Sequence, residues 1–69
     1  MADSVYKVIE VVGTSPESWE KAAAAAVSQA AKSIRDLRVG EISALDVTIK
    51  DGRIKTYRAR VKMSFKYEA

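Results

Sequence analysis

The sequence contains no cysteine and no histidine. Without cysteine the chain cannot form a disulfide bond, and without either residue a zinc site of the ordinary kind is not expected. The nucleophiles that remain are serine, threonine, lysine, tyrosine and the carboxylates. Thr14 and Ser15 are better explained as helix caps, and the three glycines are too scattered to form a phosphate-binding loop. We therefore expect a protein that is not an enzyme.

The chain is also short. Its 69 residues allow a single domain over residues 1–69, and a domain of this size buries little surface when it folds. Small domains are usually stabilised by disulfides, a metal or oligomerisation. Oligomerisation is the means that remains here, and a hydrophobic content of 48% is ample for a buried interface.

Long apolar runs are absent as well, so the sequence predicts no membrane span. The opening residues MADSVYK lack the basic start and apolar stretch of a signal peptide, and we expect a cytoplasmic protein. The net charge of +3, from 12 basic and 9 acidic residues, is mild. It permits an anionic ligand but does not by itself argue for nucleic acid.

The first half of the chain predicts a strand followed by a long helix. Val, Ile and Tyr dominate Val5–Val12, which is typical of a strand, and Gly13 is expected to end it. A helix is predicted from Pro16 to Arg35, where apolar residues recur at helical spacing on one stripe. Trp19 begins this stripe and is expected in the core or at an interface. The alanine run Ala22–Ala26 predicts a thin helix that can approach a sheet closely.

Two registers compete for the helix cap. Thr14 and Glu17 have the spacing of a capping box, whereas Ser15 followed by Pro16 at the first helical position is the alternative.

The second half predicts a long antiparallel hairpin. The segment VGEISALDVTIK alternates as a strand, Asp51-Gly52 is a strong turn signal, and the third strand covers Arg53 to Tyr67. In the second strand one predicted face holds Glu41, Ser43, Leu45, Val47 and Ile49, and the other holds Ile42, Ala44, Asp46 and Thr48. In the third strand the apolar face holds Tyr57, Ala59, Val61, Met63, Phe65 and Tyr67.

The predicted fold is therefore α+β with β-α-β-β order, a three-stranded antiparallel sheet wrapped around one helix. The other sheet face has no cover within this chain. Its basic side chains could grip phosphates, or could be solvated or paired with acids of a neighbouring subunit; they are Arg58, Arg60, Lys62 and Lys66. Carboxylates could hold a hard cation if symmetry brings copies together; the candidates are Glu10, Glu17, Glu41 and Asp46.

Two stretches carry a resemblance to a known family. VYKVIEVVGTSPESWEKAAAAAVSQAAKSIRDLRV, followed by DGRIKTYRARVKMSFKY, resembles the dodecins from about Val5 to Tyr67. The resemblance implies a hollow homododecamer, which would cover the bare sheet face. It also implies flavin (FMN or riboflavin) bound at subunit interfaces for storage or sequestration, and ions held on symmetry axes.

The flavin positions of the family are altered in this sequence. Typical members carry a tryptophan in a motif like L-D-W-F-E-V, and the matching run LRVGEI places Val39 where that ring would stack. A glutamine of the last strand matches Arg58, and a polar or basic position of the middle strand matches Asp46. Valine offers no π face for stacking. The chain thus resembles a tryptophan-lacking branch, some of whose members are described as calcium-binding.

Copies of Glu17 near an axis are the candidate cation site, for calcium or magnesium, with helix capping as the alternative role. The first functional hypothesis is a dodecamer that binds or stores a small ligand or cation, with the stacked-flavin site lost. The second is a genuine flavin store. The third is a binder of an anionic cofactor or nucleic acid through the basic strand face, of which nucleic acid is the less expected partner.

Overall fold

Three strands and one helix follow one another in the order β-α-β-β. A computed structural model describes residues 3–67 and places β1 at Tyr6–Ser15, α1 at Trp19–Ala31, β2 at Leu37–Lys50 and β3 at Arg53–Lys66. The strand order in the sheet is β1-β3-β2, with both neighbouring pairs antiparallel. The predicted α+β class, with one helix and a three-stranded antiparallel sheet, is confirmed.

The helix begins later than the sequence predicts. Its N-cap is Ser18, whose side-chain oxygen accepts a backbone N–H of the first turn. Ser15 is buried at the end of β1, and its Oγ accepts the backbone N–H of Glu17 at 3.0 Å. The prediction of Thr14 or Ser15 as the cap was wrong, because pairing with β3 keeps both residues in the strand.

The helix also ends earlier than Arg35. It stops at Ala31, and the chain turns before entering β2. Asp36 has a φ of 64°, in the left-handed region where a helix cannot continue. Leu37, two residues beyond the predicted helix end, opens β2 and packs against the core.

Small side chains hold the helix against the sheet. A Cβ built on Gly13 would lie 2.0 Å from the backbone oxygen of Ala22 and 2.9 Å from the Cβ of Ala26. The prediction that Gly13 ends β1 was wrong, because the strand continues to Ser15. Gly13 instead lets the alanine face of α1 approach the sheet, which confirms the expected close approach of a thin helix. The buried apolar residues are Ala22, Ala26, Ala30, Ala59, Val61 and Met63.

The alternation of β3 is as predicted, but that of β2 is not. Ile42 pairs with Val61 and Leu45 with Ala59, so both lie on the helix side of the sheet. The sequence pattern had placed them on opposite faces. That prediction was wrong because a register shift between Ile42 and Ala44 inserts Ser43 as a bulge, which returns the next side chains to the first face.

The sheet surface away from α1 is called the open face below. The register of the ladders defines its membership. It consists of Tyr6, Val8, Glu10, Val12 and Thr14 from β1, Thr56, Arg58, Arg60, Lys62, Ser64 and Lys66 from β3, and Val39, Glu41, Ala44, Asp46 and Thr48 from β2.

Candidate functional site

A bidentate ion pair joins two of the predicted site residues on the open face. Arg58 Nε donates to Asp46 Oδ1 at 2.6 Å, and Arg58 Nη2 donates to Asp46 Oδ2 at 2.7 Å. These hydrogen bonds hold the pKa of the Asp46 carboxyl below its usual value of 3.8 and raise the pKa of the Arg58 guanidinium. Both groups are therefore charged across the whole physiological range of pH.

The hairpin geometry sets this pair. Asp51 and Gly52 have φ values of 53° and 74°, as a two-residue primed turn requires, which confirms the predicted turn. A regular ladder from that turn would put Asp46 opposite Tyr57. A register irregularity next to Thr48 shifts the ladder by one residue and places Asp46 opposite Arg58 instead.

A side chain of α1 holds the backbone of Asp46 from the opposite side of the sheet. Trp19 Nε1 donates to the backbone oxygen of Asp46 at 3.0 Å. The indole also meets the Tyr57 ring edge to face, with centroids 5.1 Å apart. Sequence reasoning assigned Trp19 to core or interface and missed this contact. The signal available was its position at the start of the helical stripe.

Val39 lies far from this pair. It faces Ser64, six residues along β3 from Arg58, a separation of about 20 Å at the usual rise of a strand. The residue is 59% exposed, and its segment of β2 borders a small groove of about 120 Å³ that Val27 and Met63 also line. Within one chain, the structure thus brings Asp46 and Arg58 together and leaves Val39 apart.

Glu17 stands at the other end of the candidate set, just before α1. Its carboxylate accepts a hydrogen bond from Lys21 Nζ at 2.7 Å, and both side chains are mostly exposed. No group of three or more acidic side chains suited to a metal ion occurs within residues 3–67. A cation held by Glu17 would therefore need carboxylates from further copies.

The basic row of the open face is interrupted by acids. Lys62 lies between Glu10 and Glu41 in the register, and Arg58 is bound to Asp46. Ser43, the bulge residue, reaches Glu10 with its Oγ 3.2 Å from Oε2. This mixed charge pattern lacks the uniform positive field that a nucleic-acid groove requires.

Comparison with known proteins now decides the family. The family model described as Dodecin matches residues 5–68. The chain belongs to the dodecin family. The resemblance drawn from the sequence is thereby confirmed. Dodecins assemble as dodecamers and are binding or storage proteins.

Three relatives show how closely this dodecin follows the others. The calcium dodecin of Mycobacterium tuberculosis is 48% identical over 63 residues, 91% of this chain and 89% of that protein. The dodecin of Thermus thermophilus is 38% identical over 64 residues, 93% of each chain. The structure of the Streptomyces coelicolor dodecin superposes with a TM-score of 0.92 at 33% identity, over 100% of this chain and 99% of that one.

A solved structure of the M. tuberculosis protein is also similar, with a TM-score of 0.84 at 46% identity over 94% of this chain and 93% of that one. It is described as a calcium-chelating antigen with a novel calcium-binding site. No helix within residues 3–67 of the present dodecin has the length and apolar character to cross a bilayer.

Proposed function

We propose that this dodecin assembles into a hollow homododecamer that binds or stores a small ligand or cation, acts without catalysis in the cytoplasm, and has lost the stacked-flavin site. The observation that carries the proposal is the state of the two flavin-contact positions. Val39 has no aromatic ring, and the guanidinium of Arg58 is already engaged by Asp46. A flavin would therefore find neither a stacking surface nor a free polar contact at these residues.

The amount of exposed apolar surface supports self-association. The buried core consists of three alanines of α1 and three residues of β3, whereas both edge strands carry apolar side chains in solvent. Those more than half exposed are Val8 in β1 and Val39, Leu45 and Ile49 in β2. Contact between copies would bury this surface and would cover the unpaired edges of β1 and β2.

The flavin part of the proposal is tested by titrating riboflavin and FMN into the assembled protein. We expect flavin fluorescence to stay unquenched. We also expect the variant Val39→Trp to gain quenching of riboflavin, because it supplies the missing ring. Tight quenching by the unaltered protein would instead favour a genuine flavin store and contradict the loss of the site.

The matched control for Val39→Trp is Val8→Trp. Val8 and Val39 are both exposed on the open face and both face Ser64, from β1 and β2 respectively. A gain of quenching in both variants would show nonspecific stacking on any exposed indole. A gain confined to Val39→Trp would support the assignment of this position.

The cation part of the proposal rests on the similarity to the M. tuberculosis calcium dodecin and on Glu17. Calorimetric titration with calcium and magnesium should show binding by the assembled particle that Glu17→Gln removes. Glu20→Gln is the control, because Glu20 lies in the first turn of α1 and its substitution removes the same charge as Glu17→Gln. Equal loss in both variants would point to a general charge effect rather than to a site at Glu17.

A further inference from the structure

The Asp46–Arg58 pair occupies the kind of hydrogen-bonding fork that binds anionic ligands. A guanidinium presents two parallel N–H groups to a carboxylate or a phosphate, and Asp46 fills both at 2.6 and 2.7 Å. Within a single chain both side chains are partly open to solvent, with 37% of Arg58 and 49% of Asp46 exposed. Within one chain the fork is therefore filled by Asp46 and is not buried by other elements of the fold.

The surroundings of the pair favour an anion once Asp46 is discounted. Arg60 lies next along the open face, and its cross-strand neighbours Val12 and Ala44 carry no charge. The carboxylate of Glu10, one pair further along, accepts a hydrogen bond from Ser43 Oγ, which also lies 3.2 Å from the Arg60 backbone oxygen. On the side of β1, Arg58 faces Thr14, whose hydroxyl is a neutral donor. Asp46 is thus the carboxylate that the ladder sets beside two guanidinium groups.

We propose that Asp46 is a specificity-determining residue that occupies the Arg58 fork and excludes ligands bearing phosphate or carboxylate from this part of the open face. The proposal rests on the proposed binding function and deepens it. Ligands accepted here are neutral or cationic. Loss of the Asp46 charge converts the same position into an anion site.

Trp19 makes the exclusion effective. Because the indole N–H holds the backbone oxygen of Asp46 at 3.0 Å from the helix side, the carboxylate is presented to Arg58 on the open face from an anchored backbone. The substitution Asp46→Asn keeps this backbone contact and nearly the same shape, and removes the charge that holds the fork. It is therefore the variant of choice.

The test uses inorganic pyrophosphate as the anionic probe, titrated calorimetrically into the assembled protein at low salt. We expect the unaltered protein to bind it weakly and Asp46→Asn to bind it at least tenfold more tightly. Adding Arg58→Gln to that variant should abolish the gain. Asp46→Ser serves as a second variant, and gel filtration confirms that each protein keeps its assembled size.

The charge control is Asp51→Asn, which removes one negative charge at the hairpin turn, where asparagine also tolerates the positive φ. We expect it to leave pyrophosphate affinity unchanged. The proposal is overturned if Asp46→Asn and Asp46→Ser bind no better than the unaltered protein, or if Asp51→Asn gains as much as they do.

The same proteins titrated with riboflavin separate this proposal from the function on which it rests. Quenching of riboflavin by the unaltered protein would contradict loss of the flavin site and leave the pyrophosphate result standing. An unchanged pyrophosphate affinity would overturn the role of Asp46 and leave the flavin result standing.

Discussion

The two edge strands flank the same central strand but are built differently. β1 pairs with β3 over ten residues without a register shift, whereas β2 pairs with it through three irregularities. β1 packs closely against the helix because Gly13 has no side chain. β2 is joined to the helix by the hydrogen bond from the Trp19 indole to the backbone oxygen of Asp46. The regular strand sets how closely the helix packs. The irregular strand sets which side chains meet on the open face.

The largest expected loss of stability comes from breaking the close contact between β1, the regular strand, and α1. Gly13→Ala places a Cβ against helix backbone, which cannot move aside, so we expect a loss of about 3 kcal/mol or more in the free energy of unfolding. Chemical denaturation followed by circular dichroism measures it. Gly40→Ala in β2 is the matched control. Its Cβ would lie 3.5 Å from Val61 at an ordinary contact distance, and stability should rise by about 0.5 kcal/mol. Equal losses in both would contradict the difference between the strands.

The next effect concerns the contact of the irregular strand. Trp19→Ala removes a partly exposed ring and its hydrogen bond to Asp46, and should cost about 2 kcal/mol. Trp19→Phe keeps a ring against Tyr57 but loses the donor, and should cost about 1 kcal/mol. Because the chain has a single tryptophan, circular dichroism must replace fluorescence as the probe of unfolding. If Trp19→Phe proved as stable as the original, the tie to β2 would carry no energetic weight.

A smaller effect concerns the start of the helix, which lies between the two strands in the chain. Ser18→Ala removes the cap that accepts the Lys21 N–H and should lower the free energy of unfolding by about 1 kcal/mol. Ser28→Ala replaces an exposed serine inside α1 and should stabilise slightly, by about 0.5 kcal/mol. Thermal and urea unfolding of the two variants should therefore shift in opposite directions. A shift of both in the same direction would argue against Ser18 as the cap.

The smallest expected effect is the loss of stability in acid, and the two carboxyls that cause it lie just before β2 and within it. Asp36, bound to Arg38, and Asp46, bound to Arg58, both have a lowered pKa in the folded protein. A carboxyl whose folded pKa is depressed stabilises the fold above its unfolded value of 3.8. That contribution is lost as the pH falls through the lower folded value.

Urea midpoints measured from pH 6 downward should therefore drop below about pH 4, where the unfolded carboxyls begin to take up protons. Asp46→Asn should show a smaller drop than the unaltered protein, because one of the two linked groups is gone. Identical acid profiles would show that the Asp46–Arg58 pair does not stabilise the fold.

The parts of the fold that depend on local pattern were predictable. The Asp51-Gly52 turn was found because its two positive φ values suit these residues, and β3 was found because its buried residues alternate without interruption. The capping of α1 was not predictable in the same way. Local spacing favoured Thr14 or Ser15, but strand pairing with a segment more than forty residues away holds both in β1 and leaves Ser18 to cap the helix.

The candidate site was predictable only as a set of positions. Resemblance supplied Val39, Asp46 and Arg58, but the contact between the last two depends on a one-residue irregularity in the β2–β3 ladder. Such an irregularity leaves no mark in an alternating sequence, since the pattern on each side of it is regular. For the same reason the faces of β2 were assigned incorrectly beyond Ser43.

The strand order β1-β3-β2 also determines when the sheet can form during synthesis. Of the three strands within residues 3–67, β1 is made first, and the strand it pairs with, β3, is made last. The ribosome adds β3 roughly 50 residues later, an interval of about 3–10 s at ordinary elongation rates. The β2–β3 hairpin can then close within about 1–10 μs of leaving the tunnel. Until β3 has been made and has left the tunnel, β1 has no partner in the sheet, so the three-stranded sheet is completed only at the end of this interval.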